Sequence, residues 1–154
     1  MTRINRDDCP FVLAEFLNYM ETIKNLSGRT VDGYYIDLRT FLRFLKRERG
    51  MTAAETPFNE IKIEDITLDD IKTIRTADVY EYLHMVTREF ENNPNTRARK
   101  VSSLRAFFKY LTVKSHQLEF DPVKNIEVPS LRKSLPKFLN LEESRGLLET
   151  PEGE

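Results

Sequence analysis

Between Ser27 and Gly50 the apolar residues Val31, Tyr34, Tyr35, Leu38, Phe41, Leu42 and Leu45 recur at three- and four-residue steps. That spacing lines one face of an α-helix and would scatter the same side chains over both faces of a strand. Ser27 offers the N-cap. The rest of the chain follows the same period. Phe11, Leu13, Phe16, Leu17, Met20 and Ile23 predict a first helix, with Pro10 in its first turn, Asp8 or Cys9 near its cap and an end near Asn25 or Leu26. Thr67-Leu-Asp-Asp has the cap chemistry of a short helix running to about Ile74, and Thr76-Ala-Asp-Val opens a third main helix. That helix has Val79, Tyr82, Leu83, Val86 and Phe90 inside and ends before Asn92-Asn93-Pro94. Residues 95 to 111, NTRARKVSSLRAFFKYL, form the fourth. The expectation is an all-α bundle of four main helices with an extra short one.

After Lys114 the texture changes. Asp121-Pro122, Val128-Pro129 and Leu135-Pro136 forbid a continuous helix and predict an extended connector. From Asn140, LEESRGLLE begins a new amphipathic helix, with only about two turns before Pro151 and nothing of its own to bury against. The native protein is therefore expected to continue past residue 154. The divisions read as residues 1–124 for the bundle, 125–139 for a linker and 140–154 for the start of a further domain.

With 154 residues, 40% hydrophobic and 32% charged, the chain has the composition of a globular protein rather than a disordered or fibrous one. No apolar run reaches the roughly 18 residues of a membrane span, and MTRINRDDCP lacks the apolar core of a signal peptide, so a cytoplasmic location is expected. Cys9 is the only cysteine, which excludes an internal disulfide and a cysteine-based zinc site. It reads as a small apolar residue near a helix start.

A net charge of −1 hides a strong division along the chain. From Pro94 to Lys114 the six cations Arg97, Arg99, Lys100, Arg105, Lys109 and Lys114 meet no acid. From Ser27 to Gly50, six cations (Arg29, Arg39, Arg43, Lys46, Arg47, Arg49) face three acids (Asp32, Asp37, Glu48). Between them, Met51 to Asn93 carries four cations against ten acids. Two basic helices thus flank an acidic stretch.

A wheel of the fourth helix puts Val101, Leu104, Phe108 and Leu111 on one stripe with Phe107 at its margin. Arg99, Ser102, Ser103, Ala106 and Lys109 fall opposite. A solvated face normally mixes Glu with Lys. Small residues between cations instead let a helix approach a phosphate ribbon and leave Ser and Arg free to reach bases. Arg97 and Lys100 sit in the first turn, where free amides favour anions. On the second helix Arg29, Gly33, Ile36, Arg39, Thr40, Arg43 and Arg47 fall away from the tyrosines and leucines, so two contact elements are expected. The six tyrosines read as core or boundary residues rather than catalytic ones.

Three stretches carry a resemblance. They are Ser27-x-x-Thr30-x-x-x-Tyr34-x-x-x-Leu38-x-x-Phe41-x-x-Phe44-Leu45, Thr96-x-x-Arg99-x-x-Ser102-x-Leu104-Arg105-x-Phe107-Phe108-Lys109-Tyr110-Leu111, and Leu135-Pro136-Lys137-Phe138-Leu139. In this order and spacing they resemble the core-binding half of tyrosine recombinases, the Xer proteins and the phage and transposon integrases, over Phe11 to Leu148. The resemblance implies a SAM-like four-helix orthogonal bundle that clasps one face of a recombination site, its second and fourth helices addressing the major groove. It also implies a linker leading to a catalytic domain in cis, with double-stranded DNA and further recombinase protomers as partners. Carried over by residue, it places Ser27, Arg29, Thr30 and Arg43 of the second helix near DNA. In the fourth helix it places Thr96, Arg97, Arg99, Lys100, Ser103 and Lys109 there, and in the connector Arg132, Lys133 and Lys137. Two features depart from the family pattern: Asp121-Pro122, where relatives commonly show Asn-Pro, and the acidic insertion from Met51 to Arg75, which is suited to protein contact.

A tyrosine recombinase needs an arginine, a His-x-x-Arg pair and a downstream tyrosine, acting by covalent and electrostatic catalysis. His84 is followed by Met-Val-Thr and His116 by Gln-Leu-Glu, so neither forms the pair. No phosphate-binding glycine loop, HExxH or acidic metal cluster is present, and Asp65, Asp69 and Asp70 read as cap and surface charges. The chain as it stands is expected neither to cleave DNA nor to need a cofactor or metal. A second reading, from another class, is a helical protein-interaction module whose basic helices meet an acidic partner while the LEESRGLLE tail docks in a neighbour's groove.

Overall fold

The computed structural model describes residues 6–89 and 93–127. Among these there are five α-helices: α1 (Phe11–Thr22), α2 (Gly28–Glu48), α3 (Leu68–Lys72), α4 (Thr76–Glu89) and α5 (Pro94–Lys109). A 3-10 turn at Phe58–Glu60 precedes α3, and a π-helical turn at Tyr110–Lys114 prolongs α5. The four main helices are those the apolar period predicts. The calls on Phe90, on the connector from Val128 and on residues 140–154 lie outside the described residues.

Local chemistry accounts for the helix ends. Ser27 Oγ accepts from the Thr30 amide at 3.2 Å and so caps α2. At the other end Gly50 takes φ +66°, while the amides of Met51 and Gly50 donate back to the carbonyls of Lys46 and Arg47. Those two bonds make the paired C-terminal closure in which glycine avoids the clash of a Cβ. Thr67 and Asp70 form a reciprocal capping box on α3. Asn93 caps α5, with Pro94 in its first turn. Pro10, rather than Asp8 or Cys9, occupies the N-cap of α1, and Asn25 at φ 58° turns the chain from α1 toward α2.

α2 is the hub, packing against α1, α4 and α5. Phe16 of α1 meets Tyr34 and Phe107 edge-on, with ring centroids 5.7 and 5.3 Å apart, and Phe41 meets Tyr82 the same way at 5.1 Å. Phe107 and Phe108 are both fully buried, so Phe107 belongs to the core and not to its margin. The apolar pattern overstates α1 at its ends, because Phe11 and Ile23 are exposed. They stand at the first position of α1 and just beyond its last.

The acidic stretch is not a loose insertion. Ile61, Ile63, Ile66, Ile71 and Ile74 are all buried. Two cations of α2 and Arg49 just beyond its end tie the same stretch down. Arg43 Nε donates to the Ile61 carbonyl at 3.0 Å, Lys46 Nζ to the Lys62 carbonyl at 2.6 Å and to Asp65 at 2.7 Å, and Arg49 to Thr73. After α5 the chain returns over the bundle, burying Leu118, Val123 and Ile126. Thr76 Oγ1 donates to the Pro122 carbonyl at 2.8 Å, and Arg105 donates to the Ile126 carbonyl. The packed chain therefore runs through Ile126, slightly beyond residue 124.

Candidate nucleic-acid interface

α2 and α5 lie side by side, and their junction is built on one carboxylate. Asp37 is buried and faces α5 from the middle of α2. Its Oδ1 accepts from Arg99 Nη2 at 2.8 Å and from Lys100 Nζ at 3.3 Å, while its Oδ2 accepts from Arg99 Nε at 3.2 Å and from Ser103 Oγ at 2.7 Å. Four donors from consecutive turns of one helix thus converge on one residue of another. Four donors satisfy both oxygens of a carboxylate held away from water, where an unpaired polar group would be costly. Tyr82 packs nearby, and burial, reinforced by the charge of Asp37, pushes its phenol well above the ordinary tyrosine range.

This cluster alters the surface that α5 presents. Ser103 and Lys100 are buried, so Ser103 does not stand on the exposed face expected of it and Lys100 is not the free first-turn cation expected there. Their side chains turn inward because Asp37 supplies an acceptor that no plot of one helix can display. The exposed stripe of α5 runs instead through Asn95, Arg99, Ser102 and Lys109, with half-buried Ala106 between the last two. It carries cations, a serine and an amide, and no acid. The wheel puts Ser102 on this face, though the resemblance does not carry it over; neither singles out Asn95, although a spacing of four from Arg99 puts it on the same face.

The remaining candidates are placed as follows. Ser27 and Thr30 are exposed and bonded to each other at the start of α2, where Arg29 is also exposed. The Thr96 amide donates to Asn93 Oδ1 at 2.8 Å as part of the α5 cap, and Arg97 beside it is half-buried. Lys109 is exposed in the last turn of α5 and, with Lys24, Lys114, Tyr19 and Tyr110, lines a shallow depression between the ends of α1 and α5 that has no acid in its wall. Arg43 is half-buried against the Ile61 carbonyl; burial, with Arg39 beside it, lowers its pKa from the usual arginine value. Arg132, Lys133 and Lys137 lie outside the described residues.

The C-terminal half of α2 is therefore not the free basic face that its charge count implies. Arg43, Lys46 and Arg49 hold the acidic stretch, and Arg47 pairs with Glu89 at 3.3 Å. What remains basic and exposed is the first turn of α2 together with α5. Among the described residues no group of three or more His, Cys, Asp and Glu is placed to hold a metal ion. His84 lies exposed on α4 and His116 exposed in the turn after α5. No helix of the described residues is long and apolar enough to cross a membrane.

The described residues thus form an all-helical bundle in which one helix carries cations and no acid on its exposed face. Residues 12–117 match the family described as phage integrase, N-terminal SAM-like domain, and the chain belongs to that family. It is 44% identical to the tyrosine recombinase XerC of Caldanaerobacter subterraneus over 94% of this chain and 41% of that protein. It is 30% identical to the tyrosine recombinase XerD of Listeria innocua over 89% of this chain and 40% of that one, and 28% identical to XerC of Leptospira interrogans over 88% and 37%. The chain thus spans about two fifths of the length of these relatives. No solved structure matches it.

Proposed function

We propose that this chain is the DNA-binding half of a site-specific tyrosine recombinase, which holds one face of a duplex recombination site through the start of α2 and the exposed stripe of α5. The observation that carries the reading is that stripe: Asn95, Arg99, Ser102 and Lys109 stand exposed on a helix whose residues from Pro94 to Lys114 include no acid. Short side chains around Arg99 let the helix enter a major groove, and Lys109 and Arg29 flank it as phosphate contacts. Ser27 and Thr30 add hydroxyls beside the free amides at the start of α2. The cations Arg132, Lys133 and Lys137 are further candidates for phosphate contact, and the longer protein would add a catalytic domain that breaks and rejoins strands. Further protomers bind the same DNA.

The test is a fluorescence-anisotropy titration of duplex DNA at several salt concentrations. Binding in the range of about 1 to 100 µM at low salt, falling steeply as salt rises, is expected of a domain relying on phosphate contacts. Lys109→Ala and Arg29→Ala each weaken binding to every duplex alike and reduce the salt slope by roughly one counterion. No binding at low salt, or affinity indifferent to both substitutions, would overturn the reading.

A further inference from the structure

The bond pattern at Asp37 goes beyond holding two helices together. We infer that Asp37 is a positioning residue for base recognition, gripping one edge of the Arg99 guanidinium so that its other edge is presented to a guanine in the major groove. The inference rests on the DNA-binding reading above and specifies what α5 reads.

The geometry of the grip selects the edge. Arg99 meets Asp37 through Nε and Nη2, at 3.2 and 2.8 Å, which is the side-on fork. A guanidinium has five N–H donors, and this fork engages two of them. The end of the group, where one Nη1 hydrogen and the second Nη2 hydrogen run parallel, remains open, and the side chain is 62% exposed. Two parallel donors match the guanine edge, which offers N7 and O6 as adjacent acceptors. Adenine pairs an acceptor with a donor, and each pyrimidine presents a single polar group.

Two further features separate base reading from a phosphate contact. Asp37 is 3% exposed and is itself held by Ser103 Oγ at 2.7 Å and Lys100 Nζ at 3.3 Å, so the Arg99 fork has a fixed support. A phosphate can be met from several sides, whereas the two acceptors of a base edge lie in one plane and depend on a held orientation. Arg99 also stands mid-stripe between Asn95 and Ser102, short side chains that permit close approach, whereas the longer Lys109 lies toward the helix end. Lys100 completes the arrangement. One carboxylate faced by two cations leaves a net positive charge, and because Lys100 is buried that charge is offered to DNA through Arg99.

The test uses the whole 154-residue chain and a duplex that it selects from a random library. Each guanine of the selected duplex is replaced in turn by 7-deazaguanine, which lacks the N7 acceptor, and binding is measured for folded protein verified by circular dichroism. One replacement is expected to weaken the wild-type chain about tenfold, within the range a bidentate base contact supplies, and to leave Arg99→Ala unaffected. Asp37→Asn and Asp37→Glu should both shrink that penalty to below about threefold while changing affinity for a scrambled duplex little, since one loses the charge and the other displaces the fork. Ser103→Ala, which keeps the carboxylate and the Lys100 bond that still holds it, should retain most of the penalty. Full guanine dependence in whichever Asp37 variants fold, or the absence of any guanine whose replacement separates wild type from Arg99→Ala, overturns the inference. If the wild-type chain binds DNA but selects no sequence, the inference fails while the DNA-binding reading stands; if it binds no duplex at all, both fail.

Discussion

The Ser103 hydroxyl donates to Asp37 Oδ2 across 2.7 Å, joining buried residues 66 positions apart in the chain. With Lys100 in the same cluster, the contact makes the α2 to α5 junction polar at its centre, where most of the bundle is apolar. Such a network has large consequences for stability because removing the shared carboxylate leaves its donors unsatisfied together.

Asp37→Ala is expected to destabilise the fold by about 3 to 5 kcal/mol, since Lys100 is left buried without its counter-charge. Ser103→Ala removes one donor to an acceptor that keeps three, and should cost only about 1 kcal/mol. Urea unfolding midpoints at an unchanged m-value measure both. An Asp37→Ala loss below about 1 kcal/mol would show that the junction relies on the surrounding aromatics alone.

Arg99 and Lys109 should separate in a way the sequence does not suggest. As members of one exposed face they read as surface residues whose removal leaves stability untouched. Arg99, however, makes two of the four bonds to Asp37, so Arg99→Ala is expected to lower stability by about 1 to 3 kcal/mol. Lys109→Ala should stay within about 0.5 kcal/mol of wild type. Thermal or urea unfolding of the two variants side by side decides the matter, and equal stabilities would count against the Asp37 pairing.

Gly33 lies within α2, and a Cβ added there meets nothing within 4 Å. Packing inside the chain therefore does not require glycine at this position. Gly33→Ala should raise stability by about 0.5 to 1 kcal/mol, the usual gain when an interior helical glycine is replaced. If DNA passes close to this face of α2, the same substitution should reduce affinity several-fold. A variant both more stable and fully competent in binding would place the duplex elsewhere.

The Lys46 and Asp65 pair predicts a pH effect. The hydrogen bond from Lys46 is the largest cause holding the Asp65 carboxyl below the ordinary aspartate value. A depressed folded-state pKa means that the pair contributes stability above the unfolded value of about 4, and that this contribution is lost as pH falls through the lower folded value. Asp65 is well exposed, so solvent screening keeps the effect small. Asp65→Asn should lower the urea midpoint slightly at neutral pH and match wild type once both are below the folded pKa. Parallel acid limbs for the two proteins would remove Asp65 from the account.

Helix positions and most of the core were legible in the sequence because both are local properties. The period of Val31, Tyr35, Leu38, Phe41, Leu42 and Leu45 commits one face of α2, and Ser27 and Gly50 set its ends through contacts within a few residues. Asp37 lies three residues after Tyr34 and four before Phe41, on the margin of the apolar stripe, yet the sequence marks it only as one of three acids on a basic helix. Its partners were not visible. Which cations remain available to a ligand was decided by tertiary structure alone: Arg43 reaches a carbonyl 18 residues away, Lys46 a carboxylate 19 away and Lys100 one 63 away. Periodicity reports the direction of a side chain around its own helix axis. Whether the charge at its end meets water or a buried acceptor depends on where another helix crosses, and only the packed bundle sets that.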